Sequence, residues 1–259
     1  MMTGILSPTS GELSVLGLNP MAERKKLSMK IGTVFGQKSQ LWFHLPPADS
    51  FELLGAIYDI DRDVLRKRTA QLREQFELTD FFNTPVRRLS LGQRIRCEVA
   101  ASLLHEPEAL FLDEPTIGLD VVVKRQLRER ILEMNQEKGV TVFLTSHDAG
   151  DIENICQRAI VIDDGGIVLD ESVENLRTRH ISKKRLTVRY GANVSPELPD
   201  WAMDADCAAD HIAVTVDTHS FPVDAALNFL VSKGPVRDIS VEDPTMEQII
   251  ASIFTKGDI

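Results

Sequence analysis

Cysteine is scarce in this chain. Cys97, Cys156 and Cys207 lie far apart and form no C-x-x-C pair, which argues against a disulfide framework and a thiolate metal site. Long apolar runs are also missing: no uncharged string approaches the roughly 18 to 20 residues needed to cross a bilayer, so any membrane role works through a partner. No basic, apolar and small-residue leader opens the sequence, and a reducing cytosol is the default compartment. Positive charge is in deficit. Lys plus Arg number 29 against 39 Asp plus Glu, a formal charge of −10, which argues against a general nucleic-acid binder. The arginine-rich stretches 62–73 and 124–130 are interleaved with or flanked by acids such as Asp61, Glu74, Glu129 and Glu133, and read as solvated helix faces. His105, His180, His211 and His219 show no metal-ligand spacing, so no zinc or iron site is expected.

What is present is a globular composition, 43% hydrophobic and 26% charged. At about 150 residues per domain, 259 residues make one large domain, or one with a small companion. Residues 13–16 and 31–35 read as strands, the second running through Gly36-Gln37 into a loop with Trp42 and Phe43. Asp49-Ser50-Phe51-Glu52 has capping-box spacing and is expected to open a helix, and 62–75 is a charged helix. After Ser90 the residues Ile95, Val99, Leu103 and Leu104 share one helical face, and Glu106-Pro107 stops that helix before an apolar strand at 109–112. A helix over 122–137 ending at Gly139 precedes a second buried-type strand at 140–144. Strands alternating with helices indicate an α/β fold. The stretch 159–169, with Asp163-Asp164-Gly165-Gly166 at its middle, is a hairpin expected to close the first domain. A boundary is expected near 181–184, dividing a domain over 1–182 from a small α+β domain over 183–259. In the latter, strands are expected at 186–190, 211–216 and 236–241 and helices at 223–231 and 245–253.

Ala109-Leu110-Phe111-Leu112-Asp113-Glu114 puts two carboxylates at the carboxyl end of a buried strand, where open α/β sheets bind ligands. Because a strand alternates its side chains, one acid can hold Mg²⁺ while its neighbour faces an attacking water as general base. Adjacent acids in that place are also commonly just solvated. Ser90-x-x-Gln93 has capping-box spacing at the head of a helix, whose free N–H groups and positive dipole end favour phosphate, and Gly92 allows a close backbone approach.

The order of these pieces carries a resemblance. Leu89-Ser90-Leu91-Gly92-Gln93-Arg94, then Asp113-Glu114-Pro115-Thr116, then Gly118-Leu119-Asp120 and His147 resemble the signature loop, Walker B segment, D-loop and switch histidine of the ABC-type ATPases. Gln37 is similar to their Q-loop glutamine, and the resemblance covers about residues 1 to 180. It implies a P-loop NTPase-like α/β domain with a helical signature subdomain and a C-terminal extension like that of exporter-type members. It further implies ATP and Mg²⁺ as cofactors, with Asp113 and Gln37 on the metal side. Glu114 would be the base, His147 would contact the γ-phosphate, and Ser90, Gly92, Gln93 and Asp120 would serve the ATP held by a second subunit. The partners implied are that second ATPase subunit and an integral-membrane permease, with no nucleic acid, at the inner face of the cell membrane. Trp42 and Phe43 would meet the permease, although aromatics of this kind are more often core. Leu91 stands where the family commonly has glycine.

One part is missing. The family holds phosphates with a glycine-rich loop ending in Lys and Ser/Thr, and these 259 residues contain none; Gly36-Gln37-Lys38-Ser39 lacks the upstream glycine. Met1-Met2-Thr3-Gly4 fits the last turn of the helix such a loop opens, with Gly4 as its C-cap, so an N-terminal truncation is expected. With it goes the expectation that the chain does not hydrolyse ATP alone. A non-catalytic subunit that completes the ATP site of an intact partner stands as the alternative.

Overall fold

A computed structural model describes all residues except 37, 181, 182, 195, 196 and 257–259, and no side chain is described at 179, 180, 252 or 254–256. The chain forms two compact units, Met1–Asp151 and Ile152–Ile259.

In the first unit, α1 (Arg24–Ser28) leads into β1 (Ile31–Phe35), followed by α2 (Pro47–Ile57), α3 (Arg62–Gln75) and α4 (Leu91–Ala101). Then come β2 (Ala109–Asp113), α5 (Val121–Lys138) and β3 (Thr141–Thr145), with α6 (Ala149–Ile155) running across the division. The strands pair in parallel in the order β1-β2-β3, with Ile31 opposite Ala109 and Ala109 opposite Thr141. This register brings Phe35, Asp113 and Thr145 level at the carboxyl edge. Leu110 and Leu112 of the central strand are buried, as a parallel strand with two neighbours requires. Leu27 and Ile31 pack with Ala109, while Ile95 and Val99 turn the expected face of α4 inward; Leu104, expected on the same face, is buried beyond the helix, which ends at Ala101.

The second unit holds the antiparallel hairpin β4 (Arg158–Asp163) and β5 (Gly166–Ser172), then α7 (Val173–His180) and β6 (Lys183–Tyr190). It continues through β7 (Met203–Ala208), β8 (His211–Asp217), α8 (Val223–Val231), β9 (Val236–Glu242) and α9 (Met246–Lys256). The antiparallel order β7-β8-β6-β9 presents Leu186, Val188, Ile212, Val214 and Val216 to Ala226 and Leu230 of α8. Tyr190 joins that core because its hydroxyl donates to the Leu230 carbonyl at 2.8 Å.

The α/β class and the α+β companion agree with the sequence; several details differ. Residues 13–16 are not a strand but lead into a tight turn, with Leu16 and Gly17 at positive φ and a reciprocal Val15 and Leu18 backbone bridge. Helix α2 starts before the expected cap, at Pro47, whose fixed φ suits the first helical position; Asp49 sits inside the first turn. Strand β3 is not buried, and Phe143 is 40% exposed, because the sheet order leaves it at an edge with β2 as its sheet neighbour. The 159–169 hairpin forms around Asp164 and Gly165, both at positive φ as its turn demands, but it groups with the second unit. The boundary expected near 181–184 falls partly on residues 181 and 182, outside the described residues.

Candidate functional site

The carboxyl edge of the sheet is built by close backbone approach. The Gly36 N–H donates to the Asp113 carbonyl at 2.9 Å, and a Cβ on Gly36 would lie 2.7 Å from that oxygen, so only glycine lets β1 and β2 leave the sheet together. Asp113 is exposed, and its Oδ1 accepts from the Thr145 hydroxyl at 2.6 Å, which fixes the carboxylate against the end of β3.

Glu114 then turns sharply. Its φ is 51°, a left-handed conformation costing a non-glycine residue of order 1–3 kcal/mol, and strain of this kind gathers at functional sites. Backbone bonds hold it: the Glu114 N–H donates to the Thr145 carbonyl at 3.1 Å, and its own carbonyl accepts from the Ile117 N–H at 3.3 Å. The carboxylate reaches the ring of His147, with Oε2 2.8 Å from Nδ1. The two residues stand 33 positions apart in sequence; the parallel register closes them into a pair.

The Glu114 hydrogen bond, and then its negative charge, raise the His147 pKa above the ordinary 6.5. Since the folded value lies above the unfolded one, the pair's contribution to stability is complete below about pH 6.5 and fades as pH rises through the raised value. Replacing Glu114 with Gln should therefore move the His147 midpoint down towards its ordinary value. Histidine-ring NMR titration, with His147→Asn for assignment, checks this; an unchanged midpoint would contradict the pairing.

A second group forms where α4 and α5 begin. Ser90 caps α4 in a complete capping box: its hydroxyl accepts from the Gln93 N–H at 3.2 Å, and Gln93 Oε1 accepts from the Ser90 N–H at 2.9 Å. Asp120 caps α5, its Oδ1 accepting from Val122 and Val123 at 3.0 Å, so that carboxylate is engaged in holding the helix start. Gly92 faces Val123, and Gly118, at φ 70°, lies against a Leu91 methyl that would meet an added Cβ at 2.9 Å. Leu91 thus fills the space that Gly118 leaves. The structure brings Asp113, Glu114 and His147 into one group and Ser90, Gly92, Gln93 and Asp120 into another, with the turn 115–120 leading from the first to the second. Gln37 lies outside the described residues. After it, Trp42 and Phe43 are exposed rather than core, and their loop is anchored by Arg87 N–H to Phe43 carbonyl and Val86 N–H to Leu45 carbonyl bonds, both 3.0 Å.

Among the described residues no group of three or more His, Cys, Asp or Glu gathers to hold a metal by itself. One well-oriented carboxylate, Asp113, nevertheless suits Mg²⁺, which takes one or two carboxylates and completes its shell with phosphate oxygens and water.

Sequence reasoning missed the support behind these groups. Lys124 and Arg128, read as part of a solvated face, turn inward to Asp148 and Asp151; Arg125 and Arg130 on the same helix face outward and pair locally with Glu129 and Glu133. The basic pair at i, i+4 on α5 and the acids at i, i+3 after His147 were the available signal. Lys124 holds Asp148 below the ordinary carboxylate range by a 2.5 Å hydrogen bond.

Residues 1–117 match the family model described as ABC transporter. The chain is 27% identical over 176 residues to the ABC transporter ATP-binding protein NatA of Bacillus subtilis, covering 68% of this chain and 71% of that protein. It is 27% identical over 254 residues to the daunorubicin resistance ATP-binding protein DrrA3 of Streptomyces coeruleorubidus, covering 96% and 79%. A dimeric ATP-binding cassette solved in a post-hydrolysis state with ADP and phosphate superposes with a TM-score of 0.59 at 28% identity, over 66% of this chain and 77% of that one. Motifs in family order, a parallel sheet edge that assembles the acids with the histidine, and these likenesses agree: the chain carries an ABC-transporter ATP-binding domain.

Proposed function

We propose that this chain is the ATP-binding subunit of an ABC transporter in which ATP closes two such subunits head to tail and the closure drives a membrane permease. The observation that carries the reading is the Glu114 and His147 pair at 2.8 Å beside an Asp113 fixed by Thr145. In this assignment Glu114 accepts a proton from the attacking water and His147 orients that water against the terminal phosphate. Asp113, with Gln37, would hold Mg²⁺, which supplies charge neutralisation at the phosphates. Ser90, Gly92 and Gln93 present the head of α4 to the ATP of the other subunit, and Asp120 keeps the neighbouring turn in place by capping α5. Residues 1–182 act as the ATPase domain and 183–259 as an accessory domain. An exporter is favoured by the likeness to a drug-resistance protein that extends over 254 residues. Exposed Trp42 and Phe43 suit contact with a permease, and no described helix is long and apolar enough to cross a membrane itself.

A second reading rests on one specific observation. The phosphate loop such a site needs is absent from these 259 residues, while the α4 head is fully formed. A subunit of this kind completes the ATP site of an intact partner without turning over ATP at its own. Under either reading the chain by itself releases no phosphate from ATP. Turnover by the purified chain that Glu114→Gln abolishes would contradict this.

A further inference from the structure

We infer that Asp151 is a positioning residue that locks the turn after Glu114 and the turn bearing His147 into one unit. Its side chain is fully buried, and both oxygens are engaged across three segments. Oδ2 accepts from the Thr116 hydroxyl and the Ser146 hydroxyl, each at 2.6 Å; Oδ1 accepts from Arg128 Nε at 2.7 Å. A carboxylate so deep in the protein needs a cation and full hydrogen bonding to remain charged, and the arginine with two hydroxyls supplies both.

The partners explain why this carboxylate couples rather than merely fills space. Thr116 lies two residues after Glu114 and is itself buried, so its hydroxyl can find no replacement partner in water. Ser146 precedes His147 and also accepts from the Asp148 N–H at 3.0 Å, which closes the histidine turn. Arg128 projects from α5, whose start is reached from Thr116 through the 117–120 turn, and it makes a second contact to Asp148 at 3.3 Å. A ring results: Thr116 to Asp151, Asp151 to Arg128, and back along α5 to Asp120. Ser146 is bonded into that ring at the oxygen Thr116 uses. Displacing either turn breaks a bond the other depends on, so the 2.8 Å separation of Glu114 and His147 is set by a residue that touches neither.

The inference rests on the proposed roles of Glu114 and His147 only for its significance; the coupling is testable without ATP. Hydrogen exchange of backbone amides in segments 113–119 and 145–150 is followed by mass spectrometry, with 91–101 of α4 as internal reference. Asp151→Asn should speed exchange about tenfold or more in both segments, with α4 unchanged. Thr116→Val, which removes a hydroxyl in the first turn only, should speed exchange in 145–150 as well, and Thr116→Ser should restore it. If Asp151→Asn fails to fold, the Thr116 pair alone decides the question. Acceleration confined to 113–119 in Thr116→Val, or equal behaviour of Thr116→Val and Thr116→Ser in 145–150, would overturn the coupling. Neither result bears on whether the protein uses ATP.

Discussion

Glu114→Gln should lower ATP turnover about 10²- to 10⁴-fold in a form of the protein carrying a phosphate loop in frame ahead of Met1, the range expected when a positioned general base is removed. The substitution keeps the size and the strained turn of Glu114, whose φ of 51° is held by backbone bonds that the amide does not touch. What it removes is the charge that faces His147 Nδ1 and the capacity to take a proton. Binding should survive, because Asp113 keeps its Thr145 hydrogen bond and the head of α4 is unchanged. Initial rates of phosphate release at saturating ATP read the effect. A rate within about twofold of the unsubstituted form would remove Glu114 from the role of base and leave its pairing with His147 a structural one.

The sequence made the chemistry easier to read than its support. Strand β1, helix α3 and helix α8 span the residues expected of them, and the structure shows that their boundaries are local: Asp61 caps α3, and Pro222 precedes α8. Helix α4 was legible for the same reason, since the Ser90 and Gln93 box is contained in four residues. Strand β7 was not. Met203–Ala208 has no β-branched residue, carries two acids, and is interrupted by a register shift around Asp204 at positive φ. It forms by pairing with the edge of β8. Strand β3 was legible as a strand but not as an exposed one, because Val142, Phe143 and Leu144 advertise burial and only the sheet order reveals an edge.

The site divides in the same way. Asp113, Glu114, Ser90 and His147 stand in motifs whose spacing can be read along the chain, whereas the pairing of Glu114 with His147 depends on the register of β2 with β3. Asp151 escaped because its partners lie 35, 23 and 5 positions away on three different segments. The i, i+3 spacing of Asp148 and Asp151 after His147 was the one local hint, and it does not say which acid is buried; the structure does.

The head of α4 is the feature that either functional reading needs, whether or not the chain turns over ATP at its own acids. Ser90→Asp isolates that feature. Aspartate is as good an N-cap as serine, so α4 should keep its stability, while a negative charge is placed where phosphate is to be bound. Like charges brought together at an interface cost several kcal/mol, so ATP-driven association should weaken by about a hundredfold or more. Leu91 and Gly118 offer no route around the change, since their contact fills the space beside the helix start.

The deciding measurement is sedimentation of this chain with an intact ATP-binding subunit, with and without ATP and Mg²⁺. The expected result is a complex that forms with ATP, is absent without it, and is lost in Ser90→Asp although the variant melts as the original does. A complex indifferent to ATP, or one that Ser90→Asp leaves at full strength, would contradict the assignment of α4 as the phosphate-facing surface.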